Sequence, residues 1–264
     1  MIVTLLSDFG DVYPASMKGV ILSINPEAHI VDISHTVPSY DAVAGAFILQ
    51  SCAKYFPSGT VHIAVVDPGV GTQRRPLAIR TESPNHEIHF FIGPDNGILI
   101  PAARSIGEFE AYEITNRDLF RSDNDISSTF HGRDIFAPVG AHITKGIDIR
   151  IVGNMIQDFE DMDFGHNKIE KTENSIRGKT IFIDPFGNII TNIPAEIVNF
   201  KAGDVLKIGN KQIKFMRSYG FCNREEPLAL IGSLGYLEIA INQGNAAHFF
   251  HKRPGDKITI RKIT

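Results

Sequence analysis

Apolar and polar positions follow two alternating periods through the first 115 residues of the chain. Strand-like runs occupy Ile2–Leu6, His29–Ile33, Val61–Val66, Leu77–Arg80 and Ile88–Ile92. Between the first three lie stretches of helical spacing, one carrying Met17, Val20, Ile21 and Ile24, the other Val43, Phe47, Ile48 and Cys52. Strand, helix, strand, helix, strand predicts a mostly parallel sheet covered by helices. Pro14 suits the first turn of the first helix, and Asp41 the start of the second. A further helix is predicted over Asp134–Lys145, ended by Gly146.

The pattern then changes. From Gln157 to Gly178 the chain is polar and charged, which reads as a linker or an exposed connection. Beyond it come short strand-like runs separated by turn residues: Thr180–Ile183, Ile189–Asn192, Val205–Ile208, Gln212–Phe215, Leu228–Ile231, Leu237–Ile241 and Lys257–Arg261. Such spacing predicts a small β-barrel or sandwich. The expected organisation is an α/β domain with a mostly parallel sheet over residues 1–160, a linker over 161–175, and an all-β, barrel-like domain over 176–264.

Composition narrows the function. Hydrophobic residues make up 43% and charged residues 21% of 264, enough apolar side chain for a sizeable core. Lys and Arg number 26 against 30 Asp and Glu, a net charge of −4. That argues against nucleic acid or an anionic membrane as partner, since both need a basic excess. No apolar run approaches the roughly 18 residues of a membrane span, and MIVTLLSDFG has no basic leader. A cytoplasmic protein is expected. Cys52 and Cys222 are far apart with no CxxC, so neither a disulfide framework nor a thiolate metal cluster is expected.

Several polar strings stand out. Asp8 directly follows the first strand, where ligands gather in open α/β sheets, and a carboxylate can accept from two neighbouring ribose hydroxyls. A turn or cap aspartate would take the same position. Asp67 opens DPGVGTQRR, which matches neither the P-loop nor the GxGxxG spacing. His131 sits among Gly132, Arg133 and Asp134 before a helix, without HxH or HExxH spacing, which disfavours a metal. DPFGN, Asp184 to Asn188, is first of all a reverse turn. GSLGYLEIAINQGNAA contributes Ser233 and Glu238 on a strand that follows a glycine turn.

Taken in order, LLSDFG, KGVILSINPEAHIVDISH, FPSGTVHIAVVDPGVGTQRR, PDNG, ISSTFHGRDIFAP, IFIDPFGNIITNI and GSLGYLEIAINQGNAA resemble the S-adenosylmethionine hydroxide adenosyltransferases, relatives of fluorinating and chlorinating enzymes. The resemblance covers nearly the whole chain. It implies attack of water or hydroxide on ribose C5′ of S-adenosyl-L-methionine, giving adenosine and L-methionine; no cofactor is expected and, without metal-ligand spacing, no metal. It also implies a homotrimer whose sites lie where the N-terminal domain of one subunit meets the C-terminal domain of the next. The catalytic trio falls on Asp67, Arg74 and His131, the family spacing selecting Arg74 over its neighbour Arg75. Adenosine contacts fall on Asp8, Asp67, Asn188, Ser233, Glu238 and Ile241, and Asp184 falls at the methionine end. Tyr40 stands where the halogenases place an aromatic beside the sugar.

Three rivals accompany this expectation, the weakest a nucleoside-binding scaffold with no reaction on sulfonium at all. A halide-using, chlorinase-like transferase is disfavoured because the halogenases have Tyr at the place of Asp67, and the fluorinase has Ser at the place of Gly132. A non-catalytic protein that binds S-adenosylmethionine or adenosine would need the clamps but not the trio.

Overall fold

Runs of β-branched residues, buried on both faces, build the centre of the first unit. The computed structural model describes residues 1–122 and 125–263, which divide into two compact units, Met1–Met162 and Asp163–Thr264. The first unit contains β1 (Ile2–Ser7), α1 (Tyr13–Ile24), β2 (His29–Ser34), α2 (Ala42–Ala53), β3 (Val61–Val65), β4 (Pro76–Glu82), β5 (Ile88–Pro94), α3 (Ile100–Ile106), β6 (Glu108–Glu113), α4 (Ala137–Thr144) and β7 (Met155–Ile156). Its sheet has the order β2-β1-β3-β5-β4-β6-β7. The pairs β1–β2, β1–β3 and β3–β5 are parallel, while β4–β5, β4–β6 and β6–β7 are antiparallel. β4 and β7 therefore run against the rest, and the sheet is mixed towards that edge.

Strand order reverses about β1, with β2 on one side and β3 on the other. This is a switch point of the type where open α/β sheets bind ligands, and the chain leaves β1 and β3 there through Asp8 and Asp67. Met17 and Ile21 of α1 and Val139 and Ile143 of α4 share one core with Val3, Leu5, Ile63 and Val65. Asp41 caps α2 by accepting from Ala44 N at 2.9 Å. The helix expected over Asp134–Lys145 opens earlier and differently: Gly132–Phe136 form a π-helical turn, which runs into α4. Such turns recur at functional sites because they re-aim side chains.

The second unit contains β8 (Glu170–Lys171), β9 (Ser175–Ile183), β10 (Ile189–Pro194), β11 (Val205–Ile208), β12 (Lys211–Phe215), β13 (Pro227–Ile231), β14 (Tyr236–Ile241), α5 (Ala246–Phe250) and β15 (Lys257–Lys262). The order β10-β14-β13-β12-β11-β15-β9, with β9 pairing back onto β10, closes a seven-stranded barrel. All its pairs are antiparallel except β12–β13. Closure removes the free edges, and Ile176, Ile189, Leu206, Leu237 and Ile260 fill the interior. Part of the polar stretch 161–175 belongs to this unit: Phe164 is 1% exposed, and β8 pairs with β9. Its apolar signal is only Met162, Phe164 and Ile169 scattered among polar and charged residues, which explains why the sequence reads as a linker there.

Candidate functional site

The loop after β3 is wound by its own small polar residues. Thr72 Oγ1 donates to the Gly69 carbonyl at 2.7 Å, and Arg74 N donates back to Thr72 Oγ1 at 3.3 Å. This turn swings Arg74 towards Asp67. Arg74 Nε donates to Asp67 Oδ1 at 3.0 Å, and its Nη2 donates to Asp67 Oδ2, a bidentate pair. The two side chains are only 7% and 4% exposed. Nη1 donates to the Arg75 carbonyl at 3.0 Å, and the guanidinium lies 5.4 Å from the Phe136 ring centre.

His131 completes the row. Its Nδ1 lies 3.1 Å from Arg74 Nη2. A guanidinium can only donate, so Nδ1 is the acceptor and the proton of the neutral ring sits on Nε2. Burial lowers the His131 pKa, and the positive charge of Arg74 lowers it further, against opposing pulls from Asp67 and Asp134. His131 is therefore neutral at pH 7, with Nε2–H directed away from Arg74.

Two further contacts hold the trio. Asp134, 0% exposed, accepts from Arg121 Nε at 2.6 Å, Arg133 Nε at 2.7 Å and Ser127 N at 2.9 Å, which ties the segment before His131 to the π-helical turn. Burial alone would raise its pKa, but these donors hold it at about 2. Gly71, at φ +74°, lies so close to the Ser128 carbonyl that a Cβ would be 2.2 Å from its oxygen. Only glycine allows the two loops to touch there.

Arg75 turns elsewhere. It donates to Asp95 Oδ2 from Nε at 3.0 Å and from Nη2 at 2.8 Å, and it also reaches Asp158. Asn96 Nδ2 donates to the Val66 carbonyl at 2.8 Å, so the PDNG string braces the Asp67 loop from behind.

Asp8 lies at the end of β1, and its Oδ2 accepts from the backbone N of Tyr40 at 2.9 Å. Tyr40 is 75% exposed and held at φ +67°, an uncommon conformation for a non-glycine residue. Phe9, next to Asp8, packs edge-on against Phe130, with centroids 5.6 Å apart. The first unit thus brings Asp8, Tyr40, Asp67, Arg74 and His131 to one end of its sheet.

The second unit gathers the others. Asp184 Oδ1 accepts from Phe186 N at 2.9 Å and Asn188 N at 2.8 Å, and Oδ2 accepts from Asn188 Nδ2 at 2.9 Å. Glu238, 7% exposed on β14, is paired in register with Ile190 and Leu230, and Tyr219 OH donates to its Oε1. Burial raises the Glu238 pKa, the Tyr219 hydrogen bond lowers it, and the charge of Asp184 raises it again. A Cβ on Gly232 would lie 2.5 Å from Glu238 Oε2, so the glycine turn before exposed Ser233 makes room for this carboxylate. Ile241, 8% exposed, ends the same strand. Tyr219 escapes sequence reasoning because it sits in SYGFCN, which has no periodic pattern. Among the described residues no group of three or more His, Cys, Asp or Glu is arranged to hold a metal ion, and no helix is long and apolar enough to cross a membrane.

Known proteins resemble this chain over nearly its whole length. The (R)-S-adenosyl-L-methionine hydrolase of Methanocaldococcus jannaschii is 36% identical over 98% of this chain and 95% of its own. A protein of the same name from Salinispora tropica is 31% identical over 98% and 97%. The fluorinase of Nocardia brasiliensis is 28% identical over 98% and 96%. In three dimensions, the crystal structure of an uncharacterized conserved protein from Thermotoga maritima superposes with a TM-score of 0.87 at 35% identity, covering 99% of this chain and all of that one. Residues 3–153 match the SAM hydroxide adenosyltransferase N-terminal domain and residues 178–259 its C-terminal domain. With both domains matched in order, the chain belongs to the SAM hydroxide adenosyltransferase family.

Proposed function

We propose that the protein hydrolyses S-adenosyl-L-methionine to adenosine and L-methionine. The observation that carries this reading is the buried Asp67–Arg74–His131 row at the sheet's switch point. The sulfonium leaves as a neutral thioether and needs no acid. The nucleophile is the difficulty, because water is weak and hydroxide scarce. Arg74 supplies fixed positive charge that favours developing hydroxide character in a bound water. His131, with Nδ1 already engaged, offers Nε2–H to orient that water rather than take its proton. Asp67 is then the acceptor, since a carboxylate in a bidentate pair keeps lone pairs free. Water's oxygen bonds to C5′, the C5′–S pair goes to sulfur, and the released proton passes through Asp67 to solvent.

Halide chemistry fits less well. Asp67 places a carboxylate where an anion would have to sit. A serine at Gly132 would bring Cβ to 3.2 Å from the Phe9 ring, 3.3 Å from Met17 Sδ and 3.3 Å from the Phe130 ring.

Asp8 is read as the ribose clamp, Asn188, Ser233, Glu238 and Ile241 as adenosine contacts, Asp184 as a methionine-end contact, and Tyr40 as a wall beside the sugar. These residues divide between two units, and the reading joins them across subunits of a homotrimer. Charge supports it: Met1–Met162 has close to two acidic residues for each basic one, whereas basic residues prevail in Asp163–Thr264. Surfaces of opposite sign favour head-to-tail contact between unlike units.

The test is incubation with each sulfonium epimer of S-adenosyl-L-methionine, followed by chromatography. Adenosine and methionine are the expected products, with the (R) epimer consumed faster, as the relatives' names suggest. Binding without turnover would sink the enzyme reading, and 5′-halo-adenosine as main product in chloride would sink the hydrolase.

A further inference from the structure

The turn carrying Asp8 is braced by residues that the family resemblance leaves without a role. Ser7, the last residue of β1, is 1% exposed, and its Oγ lies 2.8 Å from Nδ1 of His35. Across the ring, His35 Nε2 is 3.0 Å from Asp32 Oδ1, and Asp32 Oδ2 accepts from Lys18 Nζ at 2.5 Å. Burial raises the Asp32 pKa, but the hydrogen bond from Lys18 and the adjacent His35 ring outweigh it and keep the carboxylate ionised. The row therefore runs from α1 through β2 and His35 into β1.

Ser, His and Asp in a row also describe a hydrolytic triad. Here the serine oxygen is sealed from solvent, so no substrate carbon can reach it, and it also accepts from Phe9 N at 3.4 Å. Every other tie leads to the same turn. Gly10 N donates to the His35 carbonyl at 2.9 Å, Val37 N to the Ser7 carbonyl at 3.4 Å, and Tyr40 N to Asp8 Oδ2 at 2.9 Å. His35 thus grips the residue before Asp8 with its ring and the residue two beyond it with its carbonyl.

We infer that His35, braced by Asp32, is a positioning residue that sets the Asp8 carboxylate for the two ribose hydroxyls. The inference rests on the reading of Asp8 as the ribose clamp. A carboxylate that must meet two adjacent hydroxyls tolerates only small displacement, so the groups that fix its backbone control its selectivity. Without the ring, Ser7 Oγ loses its closer partner in a sealed position, keeping only the 3.4 Å contact from Phe9 N, and the turn from Ser7 to Gly10 loosens.

Calorimetric binding of adenosine and of 2′,3′-dideoxyadenosine distinguishes positioning from plain stability, because only the first ligand engages the clamp. Asp8→Ala should bring the two affinities close together. His35→Ala should weaken adenosine by about tenfold while leaving the dideoxy compound nearly unchanged. Its KM for S-adenosyl-L-methionine should rise by a similar factor, with kcat within about threefold. His35→Asn, whose amide can stand in for Nδ1 towards Ser7, should recover most of the difference, and His35→Ala should add nothing in an Asp8→Ala background. Ser7→Ala gives the same reading if His35→Ala does not fold. Equal weakening of both nucleosides, or additive effects with Asp8→Ala, overturns the inference. If Asp8→Ala abolishes the discrimination but neither His35→Ala nor Ser7→Ala alters it, only the brace falls. If Asp8→Ala itself preserves it, the ribose-clamp reading falls and the brace with it.

Discussion

Arg74 Nη2 reaches His131 Nδ1 across 3.1 Å, and this one contact fixes which face of the imidazole is free for chemistry. Only Nε2 remains, and it carries the proton. A glutamine at 131 places its amide N–H near the former Nε2, whereas an asparagine places it near Nδ1, against the guanidinium. His131→Gln should therefore retain more turnover than His131→Asn, by about tenfold, measured as kcat at saturating substrate. The reverse order would make the Arg74-facing nitrogen the important one and reject Nε2–H as the group that orients the water.

Adjacent arginines should behave differently. Arg74→Ala removes a preorganised charge and should lower turnover roughly a hundredfold, about 3 kcal/mol of barrier, while adenosine binding stays within a few-fold. Arg75→Ala should instead leave Asp95, whose side chain is 4% exposed, without its main partner, costing about 1–3 kcal/mol of stability with little direct effect on rate. Thermal melts and turnover of the two variants separate these outcomes. A larger rate loss in Arg75→Ala than in Arg74→Ala would reject the assignment.

Much of the architecture is legible in local patterns. The parallel strands β1, β2 and β3 announce themselves as runs of Ile, Val and Leu, and each barrel strand from β10 to β15 matches a run read from the sequence to within two residues. By contrast, β9 begins at Ser175, five residues before the run read at Thr180–Ile183. Elements with conflicting local signals are not legible. Pro101 interrupts an apolar run and disguises α3, where it sits in the first helical turn. Glutamates in EFEAYE disguise β6, whose Ala111 and Tyr112 are nonetheless buried. The π-helical turn at Gly132–Phe136 is too short for its period to differ visibly from that of an α-helix. In the site, Asp67, Arg74 and His131 come from long family strings rather than from any local period. What those strings cannot carry is long-range pairing, such as Tyr219 on Glu238 or His35 on Ser7.

Gly71 should not tolerate a side chain. Its left-handed φ and the Ser128 carbonyl both oppose a Cβ, so Gly71→Ala should cost about 2 kcal/mol or more and displace the Asp67 and His131 loops together. Denaturant unfolding with parallel activity measurements checks both parts. Full activity at wild-type stability would show that the contact yields freely.

Stability should fall on mild acidification because of His62. This residue is fully buried, with Nδ1 2.8 Å from Thr4 Oγ1, Nε2 3.1 Å from His89 Nδ1, and its ring stacked on Phe91. Burial, then the neighbouring His89, lowers its pKa to about 3. The unfolded chain, with an ordinary pKa near 6.5, binds the proton first, so His62 contributes stability above pH 6.5 that drains away as pH falls towards 3. Tm should decline between pH 6.5 and 4.5, and more steeply in the wild type than in His62→Gln. Parallel slopes would remove His62 as the cause.

Assembly offers the broadest test of the proposed site. Asp8, Asp67, Arg74 and His131 belong to Met1–Met162, whereas Asn188, Ser233 and Glu238 belong to Asp163–Thr264. Each set alone offers part of what in-line attack requires: the reacting centre and a ribose carboxylate in one, further clamps in the other. If the two sets join across subunits, a variant lacking Arg74 and one lacking Asn188 are defective in opposite halves of each shared site. Arg74→Ala and Asn188→Ala, each nearly inactive alone, should form some intact sites when mixed after mild dissociation and reassociation. Part of the wild-type turnover should then return, and native mass spectrometry would verify that subunits have exchanged. Exchange without recovery would place the whole site within one chain and reject the shared-site trimer.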